Sequence, residues 1–272
     1  AVDDVEAPGV KPTTPSPSDR GALAAHDLSI RLAGRDIVHA ADLRLPAGRW
    51  TAMVGPNGSG KSTLLKALAG LLPARRGGVE LLGRPLNDWN GRERARTLAW
   101  LGQDEAVSAE LHVRDIVMLG RLPHQGWLGR PGDGDAHAVS RAMVLAGCEA
   151  LADRLFSTLS GGERQRVLLA RVLAVQAEVM LMDEPLANLD PPHQADWVKL
   201  VRGLRDAGTT LLTVLHELGA ALQADDLLLV RNGQVLHHGA VAEAATRQCL
   251  IDVFDGRIEL HAVNGHWLVL PH

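Results

Sequence analysis

The stretch Gly55–Thr63, with the sequence GPNGSGKST, constrains the fold of this chain more than any other feature. It follows an apolar segment, Trp50–Val54, that predicts a strand, and its last residues begin Lys61–Leu72, whose leucine spacing predicts a helix. The pattern G-x-x-x-x-G-K-[ST] between a strand and a helix is typical of a phosphate-binding loop. The sequence therefore predicts that a phosphate group binds at this junction.

The residue types in this loop suit the phosphates of a nucleotide. Glycines let the backbone wrap a phosphate without Cβ clashes, and successive N–H groups then form an anion nest at the positive end of the following helix. The Lys61 amine can reach the β- and γ-phosphates, and the Ser62 hydroxyl can bind Mg²⁺. The alternative is a chance glycine-rich turn, which the strand–loop–helix context disfavours. The predicted nucleotide-binding residues are Gly55, Pro56, Asn57, Gly58, Ser59, Gly60, Lys61, Ser62 and Thr63.

Two acidic residues follow a second apolar segment. Val179–Met182 is a continuous apolar run that predicts a strand buried on both faces, and Asp183 and Glu184 come next. A carboxylate at a strand end beside a phosphate loop suits Mg²⁺, and a second carboxylate can polarise an attacking water. Taken alone, the pattern fits equally well a strand end that meets solvent.

A third motif is Leu159–Arg166, with the sequence LSGGERQR. Ser160 is a typical N-cap for the helix that follows, and Glu163, three residues later, completes a capping box. One interpretation is a well-capped helix without a ligand. The other is that the N–H groups of Gly161 and Gly162 form a second anion-binding helix start, far along the chain from the first.

Taken together, these motifs make the chain resemble the ATP-binding cassette (ABC) family. Leu159–Arg166 resembles the family's signature motif, and Gly55–Thr63 resembles its P-loop. The other landmarks follow in the family's order, namely Gln103 at the Q-loop, Val179–Asp183 at Walker B, Ala187–Asp190 at the D-loop and His216 at the switch position. The resemblance covers about residues 22–239.

The resemblance implies a head-to-tail homodimer with ATP and Mg²⁺ between the two copies. Each ATP lies between the P-loop of one copy and the signature residues of the other, which by position are Ser160, Gly161 and Gly162. The implied metal site consists of Ser62, Gln103 and Asp183. The implied catalytic residues are Glu184 as the base, His216 as a contact of the γ-phosphate, and Gln103 as its sensor. Without the resemblance, His216 is a plain histidine at the end of a predicted strand.

One position departs from the family pattern. The family stacks adenine on an aromatic residue, and alignment of Leu32–Arg35 with the usual aromatic-Gly-Gly stretch places Leu32 there. The chain contains no tyrosine. We therefore expect weaker base stacking than an aromatic side chain gives, where the contribution is about 1–3 kcal/mol per base.

The segment Val113–Gly129 points to a class within the family. Its part Leu119–His124, with the sequence LGRLPH, resembles the ATPases of importers that handle ferric siderophores, haem and vitamin B12, as does Asn188–Gln194. The implied function is ATP hydrolysis that energises the uptake of a metal chelate. The implied partners are transmembrane permease subunits and a substrate-binding protein, and the implied location is the cytoplasmic face of the inner (cell) membrane, peripheral through the permease.

Composition argues against other partners. The net charge is −4 and the pI about 6.3, so a generally basic surface is not expected, and nor is nucleic acid as a partner. No apolar run reaches the roughly 18–20 residues that cross a bilayer, so we expect a chain that is soluble by itself. The alternatives are an exporter ATPase, a soluble ABC ATPase of DNA repair or translation, and a regulatory module without turnover. The sequence shows no fused transmembrane part, coiled-coil insertion or second cassette, and Lys61, Asp183, Glu184 and His216 are intact.

The alternation of strand and helix patterns predicts an α/β fold. We expect a P-loop NTPase core with a mostly parallel sheet, an antiparallel β subdomain and an inserted helical subdomain. The predicted division is a disordered proline-rich tail at residues 1–20, an ABC ATPase domain at 21–241 and a C-terminal appendage at 242–272. The helical subdomain is placed at about residues 90–165 because that range shows little strand pattern.

Overall fold

A mostly parallel sheet forms the centre of the fold in the computed structural model, which describes residues 21–103, 109–126 and 129–272. The predicted tail at residues 1–20 lies outside the described residues. The strands are β1 (Leu23–Leu32), β2 (Arg35–Leu45), β3 (Trp50–Val54), β4 (Arg76–Leu81), β5 (Arg84–Pro85), β6 (Leu98–Leu101), β7 (Val179–Asp183), β8 (Thr210–Val214), β9 (Asp226–Arg231), β10 (Gln234–Ala240), β11 (Ile258–Val263) and β12 (His266–Pro271). The α-helices are α1 (Lys61–Leu68), α2 (Gly91–Thr97), α3 (Val113–Leu119), α4 (Asp133–Leu145), α5 (Gly161–Val175), α6 (Pro191–Asp206), α7 (Leu218–Ala221) and α8 (Ala244–Val253).

In the central sheet the strand order is β10-β9-β3-β8-β7-β6, and every neighbouring pair except β9–β10 is parallel. All five residues of β7 are buried, as the continuous apolar run predicts for a strand covered on both faces. The β9–β10 hairpin turns at Asn232 and Gly233, whose φ angles of 50° and 76° suit a tight Asn-Gly turn. The predicted α/β class is confirmed.

A separate antiparallel sheet, in the order β2-β1-β4-β5, lies against α1. Leu64, Leu65 and Leu68 of that helix are almost fully buried, and they join the inward-facing residues of β1 and β2 in a second hydrophobic core. This core therefore supports the helix that begins at Lys61 and the loop before it.

The helices α3, α4 and α5 pack together beside the central sheet. One feature of this region differs from the sequence-based expectation. Strand β6 lies within the range 90–165 assigned to a helical subdomain, yet it pairs in parallel with β7 at the edge of the central sheet. A four-residue apolar run directly after a charged helix cannot be distinguished from a helical turn by periodicity, which explains the difference.

Residues 242–272 pack on the central core. Leu250 and Val253 of α8 are buried in it, and the guanidinium of Arg247 lies 4.3 Å from the centre of the Trp267 ring in β12. No helix within the described ranges combines the length and apolarity needed to cross a bilayer.

Candidate active site

A cavity of about 590 Å³ opens where the parallel strands β3, β6, β7 and β8 end. It is lined by Ile37, Asn57, Gly58, Ser59, Gly60, Lys61, Ser62, Thr63, Gln103, Glu184 and His216. Parallel strands present their carboxyl ends at one edge of a sheet, which is where ligands bind in folds of this class. The fold thus brings the predicted phosphate loop together with three predicted catalytic side chains that are distant in sequence.

Glycine is required by the shape of the loop. Gly58 and Gly60 have φ angles of 74° and 97°, in the left-handed region that side chains disfavour. A Cβ atom on Gly55 would lie 1.9 Å from the carbonyl oxygen of Val230. The loop can therefore take this path only with glycine at these positions, and α1 begins directly after it.

Lys61 presents a desolvated positive charge to the cavity. Its side chain is buried, and Nζ donates hydrogen bonds to the carbonyl oxygens of Gly55 (2.8 Å) and Pro56 (3.0 Å). Burial lowers the pKa of Lys61, while the nearby charges of Glu184 and Asp183 oppose that shift. Since carbonyl dipoles only partly offset a buried charge, an anion at this position would be stabilised strongly.

Ser62 and Asp183 meet at the wall of the cavity. The Ser62 hydroxyl donates to Oδ1 of Asp183 at 3.1 Å, whereas Oδ2 is buried and has no hydrogen-bond partner among the described residues. Burial raises the pKa of Asp183, and the hydrogen bond from Ser62 opposes the shift. A buried carboxylate oxygen without a partner is the kind of donor that a hard cation such as Mg²⁺ binds.

No group of three or more His, Cys, Asp or Glu residues in the described part of the chain is arranged to hold a metal ion. Mg²⁺ is commonly bound by one or two carboxylates together with phosphate oxygens and water. The pair of Ser62 and Asp183 fits that mode.

Glu184 is held from both sides. Its Oε2 accepts a hydrogen bond from Nε2 of Gln103 at 2.7 Å, and its Oε1 accepts one from Nε2 of His216 at 2.6 Å. The backbone of Glu184 has a φ of 51°, so the chain turns sharply at the end of β7. The carboxylate is thereby fixed at the cavity beside the phosphate loop, where it can accept a proton from a water molecule.

The signature residues lie elsewhere. Ser160 and Gly162 line a groove of about 290 Å³ together with Glu163, Arg166, Asn188, Leu189, Asp190 and His193, and none of the phosphate-loop residues lines it. The predicted capping box is confirmed, since Ser160 Oγ accepts from the Glu163 N–H at 3.3 Å and Glu163 Oε2 accepts from the Ser160 N–H at 2.8 Å. Hydrogen bonds from the backbone N–H and the hydroxyl of Ser160 to the Glu163 carboxylate lower the pKa of Glu163.

The two glycines of the signature also shape this groove. A Cβ on Gly162 would lie 3.0 Å from the carbonyl oxygen of Asn188, and a Cβ on Gly161 would lie 3.4 Å from the Cβ of Asn188. Asn188 itself has a φ of 63°. The D-loop therefore packs directly on the start of α5, a contact that no local sequence pattern indicated.

Ile37 lines the cavity, whereas Leu32 does not. Both side chains are partly buried against the second core. Alignment with the family pattern points to Leu32 alone as a contact of the adenine. The apolar pair Ile37-Val38 in β2 is the sequence signal for the residue that lines the cavity.

The sequence model of the ABC transporter family matches residues 38–187 of this chain. Among curated proteins, the hemin import ATP-binding protein HmuV of Streptomyces coelicolor is 42% identical over 267 residues, covering 96% of this chain and 95% of that protein. The zinc transport system ATP-binding protein TroB of Treponema pallidum is 38% identical over 239 residues, covering 87% and 88%.

Solved structures share the fold at low identity. A metal-chelate type ABC transporter in an inward-facing conformation matches with a TM-score of 0.76 at 24% identity, covering 93% of this chain and 98% of that chain. A dimeric bacterial ABC transporter cassette matches with a TM-score of 0.74 at 22% identity, covering 81% and 99%.

Proposed function

This chain belongs to the ABC transporter family, and on that premise we propose that it is the ATPase of an importer for haem or another metal chelate. The observation that carries the proposal is that Glu184, held by Gln103 and His216, lines the same cavity as Lys61 and the phosphate loop. Relatives named for hemin import support haem as the cargo. The relative named for zinc transport favours a metal ion as the second candidate. Ferric siderophores and cobalamin stay predictions from the LGRLPH segment.

In the proposed mechanism the loop Gly55–Thr63 wraps the phosphates of ATP. Lys61 turns from its two carbonyl partners to the β- and γ-phosphates, which regains the electrostatic energy lost on burial of its amine. Glu184 accepts a proton from the attacking water. His216 and Gln103 hold the carboxylate in place and contact the γ-phosphate side of the cavity.

The proposed Mg²⁺ site consists of Ser62 and Asp183, with Gln103 as a further candidate. Mg²⁺ would supply charge neutralisation at the phosphates. The orphaned Oδ2 of Asp183 supports its role as a metal-holding group. Support for Gln103 is weaker, because its amide nitrogen is turned toward Glu184 at 2.7 Å.

We also propose that two copies assemble head to tail, with Ser160, Gly161 and Gly162 of one copy closing the ATP cavity of the other. The separation of the two sites within one chain supports this arrangement, because neither site contains the residues of the other. Permease subunits and a substrate-binding protein are the further proposed partners. They would place the chain at the cytoplasmic face of the cell membrane.

Two measurements test the proposal. Glu184→Gln should abolish steady-state ATP hydrolysis and trap an ATP-bound dimer, because the cavity stays intact while the base is lost. Glu178→Gln, at an exposed position before the same strand, is the matched control. Only monomer in size-exclusion chromatography of the variant with ATP would count against the mechanism.

The cargo is tested in the native host by deletion of the gene. We expect loss of growth on haem as the iron source, restored by the native gene and not by Glu184→Gln. If the deletion strain still grows on haem but no longer takes up zinc, the cargo is a metal ion and not haem.

A further inference from the structure

We propose that Arg121 is a positioning residue that links the segment carrying Gln103 to the helix carrying the signature residues. The loop Gly120–His124 is bonded on one side to the end of α5 and on the other to α2. This inference rests on the proposed function, because it concerns how the ATP cavity of one copy is coupled to the site which that copy completes on its partner.

The side chain of Arg121 is only 9% exposed, which is unusual for arginine. Its Nη1 donates to the carbonyl oxygen of Ala174 at 2.7 Å and to Oε1 of Gln176 at 3.1 Å. Its Nε donates to Oδ1 of Asp135 in α4 at 2.9 Å, and this contact lowers the pKa of Asp135. One guanidinium thus satisfies a carbonyl at the C-terminal end of α5 and ties that end to α4.

Two neighbours strengthen the same attachment. The Nε2 of His124 donates to the carbonyl oxygen of Val175, the last residue of α5, at 2.8 Å. A Cβ on Gly120 would lie 2.1 Å from the carbonyl oxygen of Arg171, so only glycine permits this close approach. Gly, Arg and His of the LGRLPH segment therefore each have a structural reason at the last turn of α5.

The other side of the loop is bonded to α2. Nε of Arg96 donates to the carbonyl oxygen of Pro123 at 2.7 Å. Helix α2 runs without interruption into β6, and Gln103 follows β6 after one residue. The loop is therefore a hydrogen-bonded junction between α5 and the segment that ends at the ATP cavity, in addition to the direct packing of α5 on β6.

Helix α5 has 15 residues and is about 22 Å long, and Ser160 caps its far end. A displacement of Gln103 when nucleotide enters the cavity is carried through β6, α2 and the loop to α5, and so to the groove that faces the partner copy. Such coupling passes through contiguous packed contacts when the elements are rigid. Arginine suits the junction because its planar fork holds an acceptor of α4, an acceptor of α5 and the residue that follows α5 at once, which an ammonium cannot do in the same geometry.

The test uses the Glu184→Gln chain, in which ATP-driven dimers accumulate. Arg121→Gln in that background should weaken the dimer at saturating ATP by about tenfold, a typical coupling magnitude. The affinity of the dilute, monomeric chain for a fluorescent ATP analogue should remain unchanged. Arg121→Lys should be intermediate, and Arg141→Gln, at an exposed position of α4, is the control for loss of a charge from the same region. Dimer formation is measured by sedimentation.

Arg96→Gln separates coupling from simple support of α5. Arg96 is exposed and its side chain donates to Pro123 of the loop, so a folded variant is expected even if Arg121→Gln unfolds. If the loop is a junction, Arg96→Gln also weakens the dimer, and the double variant is no weaker than Arg121→Gln alone, because both changes break one path. An unchanged dimer in Arg96→Gln overturns the inference. Failure of the parent Glu184→Gln chain to dimerise with ATP overturns the proposed function, and the inference with it.

Discussion

The ATP cavity and the signature groove are both built at the start of a helix, yet they use charge differently. In the cavity, Lys61 and Asp183 are buried, and Oδ2 of Asp183 has no hydrogen-bond partner among the described residues. In the groove, the carboxylate of Glu163 is engaged in the capping box and that of Asp190 is in contact with His193. The proposed function assigns the chemistry to the ATP cavity and recognition of the bound nucleotide to the signature groove of the partner copy.

The largest effect is expected from Lys61→Ala. Loss of the amine should weaken ATP binding and reduce turnover by at least about 100-fold, since electrostatic groups at transferring phosphates contribute on that order.

Ser160→Arg should reduce turnover while leaving ATP binding to the isolated chain unchanged. Equilibrium binding of ATP to each variant, beside its steady-state rate, makes the comparison. Weaker ATP binding by the isolated Ser160→Arg chain would show that the signature groove also contributes to ATP binding in its own copy.

A smaller effect is expected from Ile37→Ala. The change removes an apolar wall of the cavity and should weaken ATP binding by about 1–2 kcal/mol, from the apolar area lost. Leu32→Ala is the matched control, because Leu32 is partly buried in the same core without lining the cavity. Isothermal titration of ATP into both variants measures the difference. Equal losses of ATP affinity in the two variants would place the adenine near Leu32 or away from both residues.

The local features of the site followed from the sequence, because each depends on neighbours within a few residues. The loop glycines, the capping box of Ser160 and the buried strand before Asp183 are of this kind. The contact of Ser62 with Asp183 joins residues 121 positions apart, and that of Arg121 with Ala174 joins residues 53 apart. Such contacts depend on how strands and helices pack, which no local pattern encodes.

The same reasoning explains two features that the sequence pattern did not indicate. The edge strand β6 is four residues long, and only its pairing with β7 identifies it. Ile37 reaches the cavity because β2 passes beside the loop at Gly60, where the Ile37 carbonyl oxygen lies 3.1 Å from the position of a Cβ. The domain boundaries and the roles of individual site residues stay predictions. Within the segment Val113–Gly129, residues 127 and 128 lie outside the described residues.

The smallest effect is expected from Glu163→Ala, which removes the capping box of α5. Hydrogen bonds from Ser160 hold the pKa of Glu163 below its unfolded value, so its carboxylate stabilises the fold above the ordinary pKa of about 4.3. That stabilisation is lost as the pH falls through the lowered folded pKa. The Tm of the variant should therefore be slightly below that of the native chain at pH 7, and the difference should vanish in acid. Glu163→Gln, which keeps an acceptor, should retain most of it.

The central claim is that each ATP site needs residues from two copies, and mixing two inactive variants tests it most directly. Lys61→Ala disables the cavity of its own copy, and Ser160→Arg disables the groove of its own copy. In a mixed head-to-tail dimer, one site combines both defects and the other combines the intact Lys61 with the intact Ser160. We predict that the mixture recovers ATP hydrolysis that neither variant shows alone. A mixture as inactive as its components, at concentrations where the native chain dimerises with ATP, would contradict the account.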